Sequence, residues 1–249
     1  MRSISGQQIS NKTTATQEVT YAKANNAGND VLWNTEVLAD RILINLLLIL
    51  MGKSLDTQTV FGQGAHTSGT EAINNTFRSG VHNTKGLFYG TNVGTVASNS
   101  FENCVKIFGM ENWYGFQWRR IAGWINDNGT QKIKLTYGTE DGSTANAYNE
   151  TGNGYISIGA TPSGTSGGYV NEMQFDEYGM FPKIASGSDS TYYCDGLWFN
   201  NSQVNYARVG GASSTGLLVG AFCAGLGGTA SYSTWSGGAA LSCKPLAGG

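Results

Sequence analysis

The sequence predicts a single α+β domain with one or two helices, short antiparallel strands and long irregular loops. A chain of 249 residues with 6 Trp, 12 Tyr and 10 Phe has enough apolar surface to bury a core. Glycine is frequent (36) and proline rare (3), which favours tight turns between short strands. No repeat of about 20–50 residues is present, so solenoids and propellers are excluded.

The clearest helix covers residues 37–51. Apolar residues recur there at spacings of three and four, which is typical of a helix. Asn34 or Thr35 could cap its start, and Gly52 could end it. Because the segment is apolar nearly all round, we expect the domain or neighbouring subunits to cover most of it. Its most apolar run, Ile42–Met51, is shorter than the roughly 20 residues needed to span a bilayer, so no membrane insertion is predicted.

The segments around this helix divide the chain into a connector and a domain. Residues 1–30 are polar and predict a connector, or a strand around Val19 and Tyr21, whereas residues 31–249 are expected to form the domain. Strand-like segments recur within it, with alternation clearest after Lys132. They are Gly86–Tyr89, Cys104–Phe108, Lys132–Tyr137, Tyr155–Ile158, Gly196–Phe199 and Leu217–Phe222.

Charge and cysteine content exclude several classes of partner. The net charge of −2, with only 15 Lys and Arg, provides no basic stripe, so nucleic acid is not an expected partner. Residues 1–11 lack the apolar stretch of a secretory signal, which predicts no export by that route. The cysteines have no CxxC spacing and are expected to be free, mostly buried thiols. They are Cys104, Cys194, Cys223 and Cys243.

Three patterns resemble catalytic or metal-binding sites, and we predict no catalytic residue, cofactor or metal at any of them. Gly164–Gly168 matches the G-x-S-x-G nucleophile elbow, but no helical pattern follows it, so a loop is expected. Oxygens of Asn126–Gly129 and Glu140–Gly142 could bind calcium, but their spacing is not that of an EF-hand loop, and hairpin turns are favoured. His66 and His82 are expected to be surface residues.

Aromatic residues are dense between positions 101 and 124. They could stack on carbohydrate, but packing of a core built from irregular loops accounts for most of them. Arg119 and Arg120 are available to hydrogen-bond loop carbonyls. The aromatic residues are Phe101, Phe108, Trp113, Tyr114, Phe116, Trp118 and Trp124.

Composition changes abruptly after residue 205. Residues 1–205 contain 22 asparagines and the remaining 44 residues none, although about five would be expected at that rate. Of the 26 residues from Ala212 to Gly237, 18 are Gly, Ala, Ser or Thr, and no charged residue or His occurs from Val209 to Cys243. Large side chains punctuate the segment, as in a packed scaffold rather than a linker. These expected scaffold residues are Arg208, Phe222, Leu226, Trp235 and Leu241.

Two passages resemble known proteins and together cover about half of the chain. Glu111–Gly123 resembles the ENxxGNxWEWxxG element of the formylglycine-generating-enzyme branch of the C-type-lectin-like fold, although Arg119 and Arg120 replace its Glu-Trp. The run from Tyr206 to Cys243 resembles the end of a variable protein of a diversity-generating retroelement. The resemblance implies a C-type-lectin-like fold with a variable region of about residues 206–243, which we call the variable segment.

The resemblance also implies a set of exchanged residues. In such systems reverse transcription randomises adenines, so that AAY codons for Asn become NNY codons, which explains the missing asparagines. NNY codons cannot encode Lys, Glu, Gln or Met, and none of these occurs between Ala212 and Gly237. By matching, the exchanged residues would form one exposed ligand-binding face. They are Ala212, Ser214, Thr215, Leu218, Cys223, Gly225, Gly227, Gly228, Tyr232, Thr234 and Ser236.

The favoured hypothesis is a phage or prophage receptor-binding protein of the tail-fibre type. It would be made in the bacterial cytoplasm, reside in the virion and bind a host cell-surface protein or glycan. A homo-oligomer such as a trimer and a monomeric domain that buries its apolar helix internally are both consistent with the sequence. The expected anchors are Leu218, Tyr232 and Trp235. A bacterial surface-displayed adhesin and a structural virion fibre or decoration protein are alternatives. An enzyme is disfavoured because no acid–base constellation accompanies the altered motif.

Overall fold

The computed structural model describes six ranges of the chain, which form an α+β fold as predicted. These ranges are residues 6–25, 31–65, 79–91, 103–135, 152–191 and 193–245. The helices in them are α1 Ala15–Lys23, α2 Leu38–Gly52 and α3 Thr57–Phe61. The strands are β1 Val31–Thr35, β2 Lys106–Ile107, β3 Met110–Glu111, β4 Trp118–Asp127, β5 Thr130–Ile133, β6 Ile156–Ser157, β7 Ser163–Gly164, β8 Gly168–Tyr169, β9 Glu172–Asp176, β10 Gly179–Ala185, β11 Gly196–Phe199, β12 Val204–Val209, β13 Ala224–Leu226, β14 Gly237–Gly238 and β15 Leu241–Pro245.

The largest sheet is organised around β4. Its strand order is β6-β5-β4-β12-β13-β11-β8, and β14 also pairs with the start of β4. Most of β4 is buried, because elements cover both faces of the sheet here. The antiparallel register of β12 places Arg208 opposite Arg120 of β4 and Gly225 of β13. The middle of the sheet therefore brings residues from three distant parts of the sequence together.

Smaller sheets complete the architecture. The antiparallel pair β1–β15 joins the two ends of the domain, with Thr35 opposite Leu241. A three-stranded sheet has the order β7-β10-β9, and β2 pairs with β3. The main hydrophobic core lies between the large sheet, α2 and β10, and includes Tyr114, Ile121 and Phe181.

Helix α2 turns a polar stripe toward this core. Buried Arg41 and Asn45 both donate to the carbonyl of Ala221, over 3.3 and 2.8 Å. The Trp113 ring packs against the Arg41 guanidinium at 4.2 Å and donates through Nε1 to Asn45. The inner face of α2 thus fixes a loop of the variable segment. Its outer face exposes apolar side chains instead, namely Leu43, Leu46, Leu50 and Met51.

The helix agrees with the prediction in extent but not in its caps or its covering. Val37 is the N-cap and provides no side-chain hydrogen bond, because Asn34 and Thr35 belong to β1. Gly52 is the last helical residue, and Lys53 takes the left-handed conformation after it. The domain itself leaves the outer face of α2 open, since Leu50 is 72% exposed, so coverage by neighbouring subunits stays a prediction.

The strand expected around Val19 and Tyr21 is wrong, because this segment forms α1. Thr14 and Gln17 make a reciprocal capping box at its start, which satisfies two backbone donors and favours a helix. With α3, the described residues contain three helices rather than the one or two expected.

Most predicted strands are found in shortened form. Gly196–Phe199 coincides with β11, Tyr155–Ile158 contains β6, Cys104–Phe108 contains β2, and Lys132–Tyr137 overlaps β5. The segment Gly86–Tyr89 makes only an isolated bridge from Tyr89 to Lys106.

The strand predicted at Leu217–Phe222 is wrong. A 3-10 helix covers Gly216–Leu218, and the next residues turn. Their backbone groups bond to side chains rather than to a neighbouring strand. The Asp195 carboxylate accepts from the Phe222 N–H over 2.7 Å, and the Thr57 hydroxyl accepts from the Ala221 N–H over 3.2 Å. Buried side chains therefore replace the ladder that the apolar pattern suggested.

Within the described ranges, every helix is too short or too polar to reach across a lipid bilayer.

Candidate functional site

A cleft of about 480 Å³ opens over the middle of the large sheet. Its volume lies within the range of about 300–1,000 Å³ that is usual for ligand sites. Strands β4, β11 and β12 and the loops of the variable segment form its walls. The lining residues are Trp118, Ser166, Trp198, Phe199, Asn200, Arg208, Ser214, Thr215, Gly227, Tyr232 and Ser236.

Two tryptophans form one side of the cleft. The rings of Trp118 and Trp198 meet edge to face, with centroids 5.3 Å apart and an angle of 86°, a favourable aromatic geometry. Gly167 lies against Trp198, where an added Cβ would be 3.0 Å from the indole nitrogen. The backbone N–H of Trp118 donates to the Ser236 carbonyl over 2.8 Å. These contacts give the cleft a fixed aromatic wall.

Arg208 lies between aromatic rings at the bottom of the cleft. Its guanidinium carbon is 5.5 Å from the Trp118 ring centre and 4.3 Å from that of Tyr232, both within cation–π range. Burial lowers the pKa of Arg208, and its interaction with Tyr232 opposes this shift. No carboxylate in the described ranges forms an ion pair with it. Within the described ranges Arg208 thus has no ion-pair partner, although its charge acts at longer range on Glu18, where it opposes the rise in pKa that burial causes in that carboxyl.

A buried ion pair lies behind the loop that includes Tyr232. Arg120 pairs with Glu18 of α1 over 2.6 Å and donates to the Tyr232 carbonyl over 2.6 Å. Burial raises the pKa of Glu18, whereas the Arg120 charge and hydrogen bond lower it. Arg120 therefore links the N-terminal helix to the loop, in agreement with its predicted role.

The N-terminal segment also holds this loop through backbone hydrogen bonds. The N–H of Lys12 donates to the carbonyl of Thr234 over 3.0 Å, and that of Ala15 donates to the carbonyl of Ala230 over 2.9 Å. These bonds use main-chain atoms of the variable segment only. The Ala230 side chain adds an apolar contact, since it packs against the cluster that includes Ala15 and Val19.

A second loop of the variable segment covers residues 210–223. Side chains of α3 and of the residue before β11 hold its main chain. Gln58 donates to the Leu217 carbonyl over 2.8 Å, and Asp195 accepts the Phe222 N–H. Asp195 is fully buried, and this burial raises its pKa well above the usual value. Gly220 lies so close to the Asp195 carboxylate that a Cβ there would collide with it. Position 220 therefore accepts only glycine.

Five of the predicted site residues line the cleft. Of these, Ser214 and Tyr232 are exposed, and the other three are half-buried. Leu218 and Thr234 are half-buried outside the lining. The five lining residues are Ser214, Thr215, Gly227, Tyr232 and Ser236.

The predicted exposure of four other residues is wrong. Ala212 and Cys223 are 1% and 0% exposed, because they pack under Trp118. Gly225 and Gly228 are also buried. A Cβ at Gly225 would be 3.3 Å from Trp118, and one at Gly228 would be 3.2 Å from Arg208. These four residues therefore support the cleft from behind.

The sequence missed three important lining residues. Trp118 was expected in the core, Arg208 was expected in the scaffold below the face, and Trp198 lay in a predicted strand without a role. Only the register of β4, β12 and β13 brings them together, and no local signal predicts it. Trp235 is half-buried against Phe116, so it belongs to the scaffold rather than to the anchors. Phe222 and Leu226 are buried as expected.

The patterns that resemble catalytic or metal sites have structural contacts where they are described. The Ser166 hydroxyl donates to the Phe199 carbonyl and accepts from its N–H. Asp127 pairs with Lys132 over 2.6 Å, beside the predicted hairpin turn, in which Asn128 and Gly129 have φ angles of 49° and 91°. In the described ranges no group of three or more His, Cys, Asp or Glu side chains could hold a metal.

The remaining predictions concern histidines and cysteines. The surface position expected for His82 is wrong, since it is 2% exposed and packs on Tyr89 at 4.5 Å. His66 and the turn at Glu140–Gly142 lie outside the described residues. All four cysteines are free, but Cys243 is exposed and Cys194 is half-buried.

Comparison with known proteins adds no identity: no protein-family model matches this chain, and no curated protein matches it significantly.

The Glu18–Arg120 pair leads to a prediction about stability. Glu18→Gln leaves the buried Arg120 charge uncompensated, and we expect the free energy of unfolding to fall by about 3–5 kcal/mol. The matched control is Glu172→Gln, which removes the surface pair with Lys183 and should cost at most about 1 kcal/mol. Urea unfolding measures both. Equal losses would contradict the structural role of the buried pair.

The buried Asp195 leads to a prediction about pH. Since its folded pKa is raised, the folded protein keeps a proton that the unfolded chain loses at about pH 4. This contribution to stability is complete below about pH 4 and falls as the pH rises toward the folded pKa. Asp195→Asn keeps an acceptor for the Phe222 N–H and should reduce the fall between about pH 4 and 7, as measured by urea unfolding. Asp189→Asn, at an exposed position, should leave the profile unchanged. A wild-type pH profile in Asp195→Asn would contradict the prediction.

Proposed function

We propose that this protein is a phage or prophage receptor-binding protein of the tail-fibre type, and that its cleft binds a ligand on the host surface. One observation carries the proposal. Five of the residues expected to be exchanged line the same cleft, while β4, β11 and β12 provide the rest of its wall. Residues expected to be exchanged and residues of the constant strands thus line the same concave surface.

The way in which the loops are held supports exchange. The contacts from Arg120, Gln58 and Asp195 reach main-chain atoms of the variable segment. A different side chain at an exposed position would leave these hydrogen bonds in place. Most substitutions of buried residues destabilise a protein by about 0.5–3 kcal/mol. Many different side chains are therefore tolerated only at exposed positions of loops that are held through their main chain. Ser214 and Tyr232 meet this condition.

The chemistry of the lining supports binding rather than catalysis. Aromatic rings, hydroxyls, one amide and one guanidinium surround the cleft, and rigid aromatics with adaptable hydroxyls are typical of antibody binding sites. The fold proposed for this scaffold is the C-type-lectin-like fold, with the mixed helices and short strands described above.

Display of several copies would strengthen attachment, because linked weak sites gain avidity. We propose that copies associate through the exposed apolar stripe of α2, which includes Leu43 and Leu50, 57% and 72% exposed. An apolar stripe of this kind on a surface helix marks an interaction site.

The self-association proposal is tested by light scattering after gel filtration. We expect wild type to have the mass of several chains and the double variant Leu43→Glu/Leu50→Glu to have that of one. Leu87→Glu, at a position 66% exposed on another element, is the control and should keep the wild-type mass. A wild type that is monomeric at high concentration would contradict the proposal.

Exchange in the cleft should change binding without changing stability. We expect Ser214→Asn/Ser236→Asn to leave the melting temperature within a few degrees, because both hydroxyls lack hydrogen-bond partners in the described ranges. Binding of the labelled protein to host bacteria should fall by about tenfold, as for a change of one or two contacts at a binding site. Ser190→Asn, at an exposed position outside the cleft, should change neither. A large loss of melting temperature, or unchanged binding, would contradict the proposal.

The DNA around the gene tests the origin of the variable segment. A near-copy of codons 206–243 with AAY in place of other NNY codons, next to a reverse-transcriptase frame, is required. Neighbouring tail genes would support a virion location, whereas genes for surface export would support an adhesin. Absence of the near-copy would overturn the diversification mechanism.

A further inference from the structure

The charges beneath the cleft do not balance. Arg120 and Arg208 lie on neighbouring strands in the same register, and Glu18 forms its ion pair with Arg120 alone. Arg208 therefore contributes an excess positive charge, and no Asp or Glu is among the residues that line the cleft. An anionic ligand group would supply the missing partner.

Arg208 is also held in a geometry suited to an anion that presents two adjacent oxygens. Its guanidinium lies 4.3 Å from the Tyr232 ring centre and 5.5 Å from that of Trp118, which restricts the plane of the fork. A planar guanidinium binds a carboxylate or a phosphate through two parallel hydrogen bonds, which a lysine cannot reproduce. The fixed fork thus favours a carboxylate over a diffuse negative charge.

We propose that the cleft binds an acidic saccharide, with Arg208 pairing with its carboxylate. This inference rests on the proposed function and specifies its ligand class. The half-buried Trp198, whose ring is held by buried Trp118, offers aromatic surface to a sugar ring. The hydroxyls of Ser214 and Ser236, which have no hydrogen-bond partner in the described ranges, are available to sugar hydroxyls. The cleft volume of about 480 Å³ is that of a compact ligand site.

Tryptophan fluorescence with three simple probes tests the proposal. The probes are the methyl glycoside of galacturonic acid, the methyl ester of the same compound, and methyl galactoside. The ester keeps the ring and removes the charge. We expect the acid to bind about tenfold more tightly than its ester, since a hydrogen bond to a charged group is worth that factor. The advantage should decrease with added salt.

Variants assign the effect to Arg208. Arg208→Gln should abolish the difference between acid and ester, and Arg208→Lys should keep only part of it. Trp198→Ala should weaken acid and ester alike, because it removes aromatic surface and leaves the charge. Circular dichroism and melting temperatures show whether each variant folds. If Arg208→Gln does not fold, the comparison of acid with ester in Arg208→Lys and in wild type still decides the proposal.

Each outcome has a defined meaning. Equal binding of acid and ester, no binding of any probe, or an unchanged acid preference in Arg208→Gln would overturn the saccharide proposal. A fluorescence change with a polyglutamate peptide but not with the acid would assign the cleft to an acidic protein segment instead. The proposed function fails separately: it fails if binding to host bacteria does not respond to Ser214→Asn/Ser236→Asn, whatever the saccharides do.

Discussion

The structure depends on buried side chains that hold the main chain of the variable segment. Arg120 donates to the Tyr232 carbonyl, Arg41 and Asn45 to the Ala221 carbonyl, and Asp195 accepts the Phe222 N–H. Such groups are costly to bury unless each is paired, so the loops and their holders are ordered together. The conformation of these loops therefore depends mainly on residues outside the loops.

The N-terminal segment is part of this support although it is the most distant in sequence. Helix α1 provides Glu18, without which the Arg120 guanidinium would be buried uncompensated. The backbone of Lys12 and Ala15 bonds to the loop directly. Contacts across more than 200 residues also carry a loop-closure entropy cost that grows with separation. The cleft is therefore a product of the complete domain.

Local sequence patterns predicted correctly those elements that depend mainly on interactions between residues close in sequence. The extent of α2 and the position of β11 follow from apolar periodicity and β propensity. The strand expected at Leu217–Phe222 failed because its backbone groups are taken by Asp195 and Thr57, whose proximity no local pattern contains. The polar stripe on the inner face of α2 has the same origin, since Arg41 and Asn45 are buried beside Leu38 and Leu48 by contacts with distant residues.

The candidate site was predictable on its variable side only. Ser214, Thr215 and Tyr232 were predicted from the resemblance to a variable protein of a diversity-generating retroelement. Trp118, Trp198 and Arg208 were not predicted as site residues, and they meet only through the pairing of β4, β12, β13 and β11. The sequence thus indicated residues on one side of the cleft, whereas the residues on the other side are brought together only by the sheet register.

Glycines in the variable segment influence the shape of the cleft as well as its chemistry. A Cβ at Gly227 would lie 3.5 Å from the nearest atom, in ordinary contact, so a methyl group there would narrow the cleft without a clash. At Gly228 the same atom would lie 3.2 Å from Arg208, and a side chain would displace the guanidinium. Exchange at Gly227 therefore alters the volume available to a ligand, whereas exchange at Gly228 alters the position of the charge. Neighbouring positions would in this way tune different properties of one site.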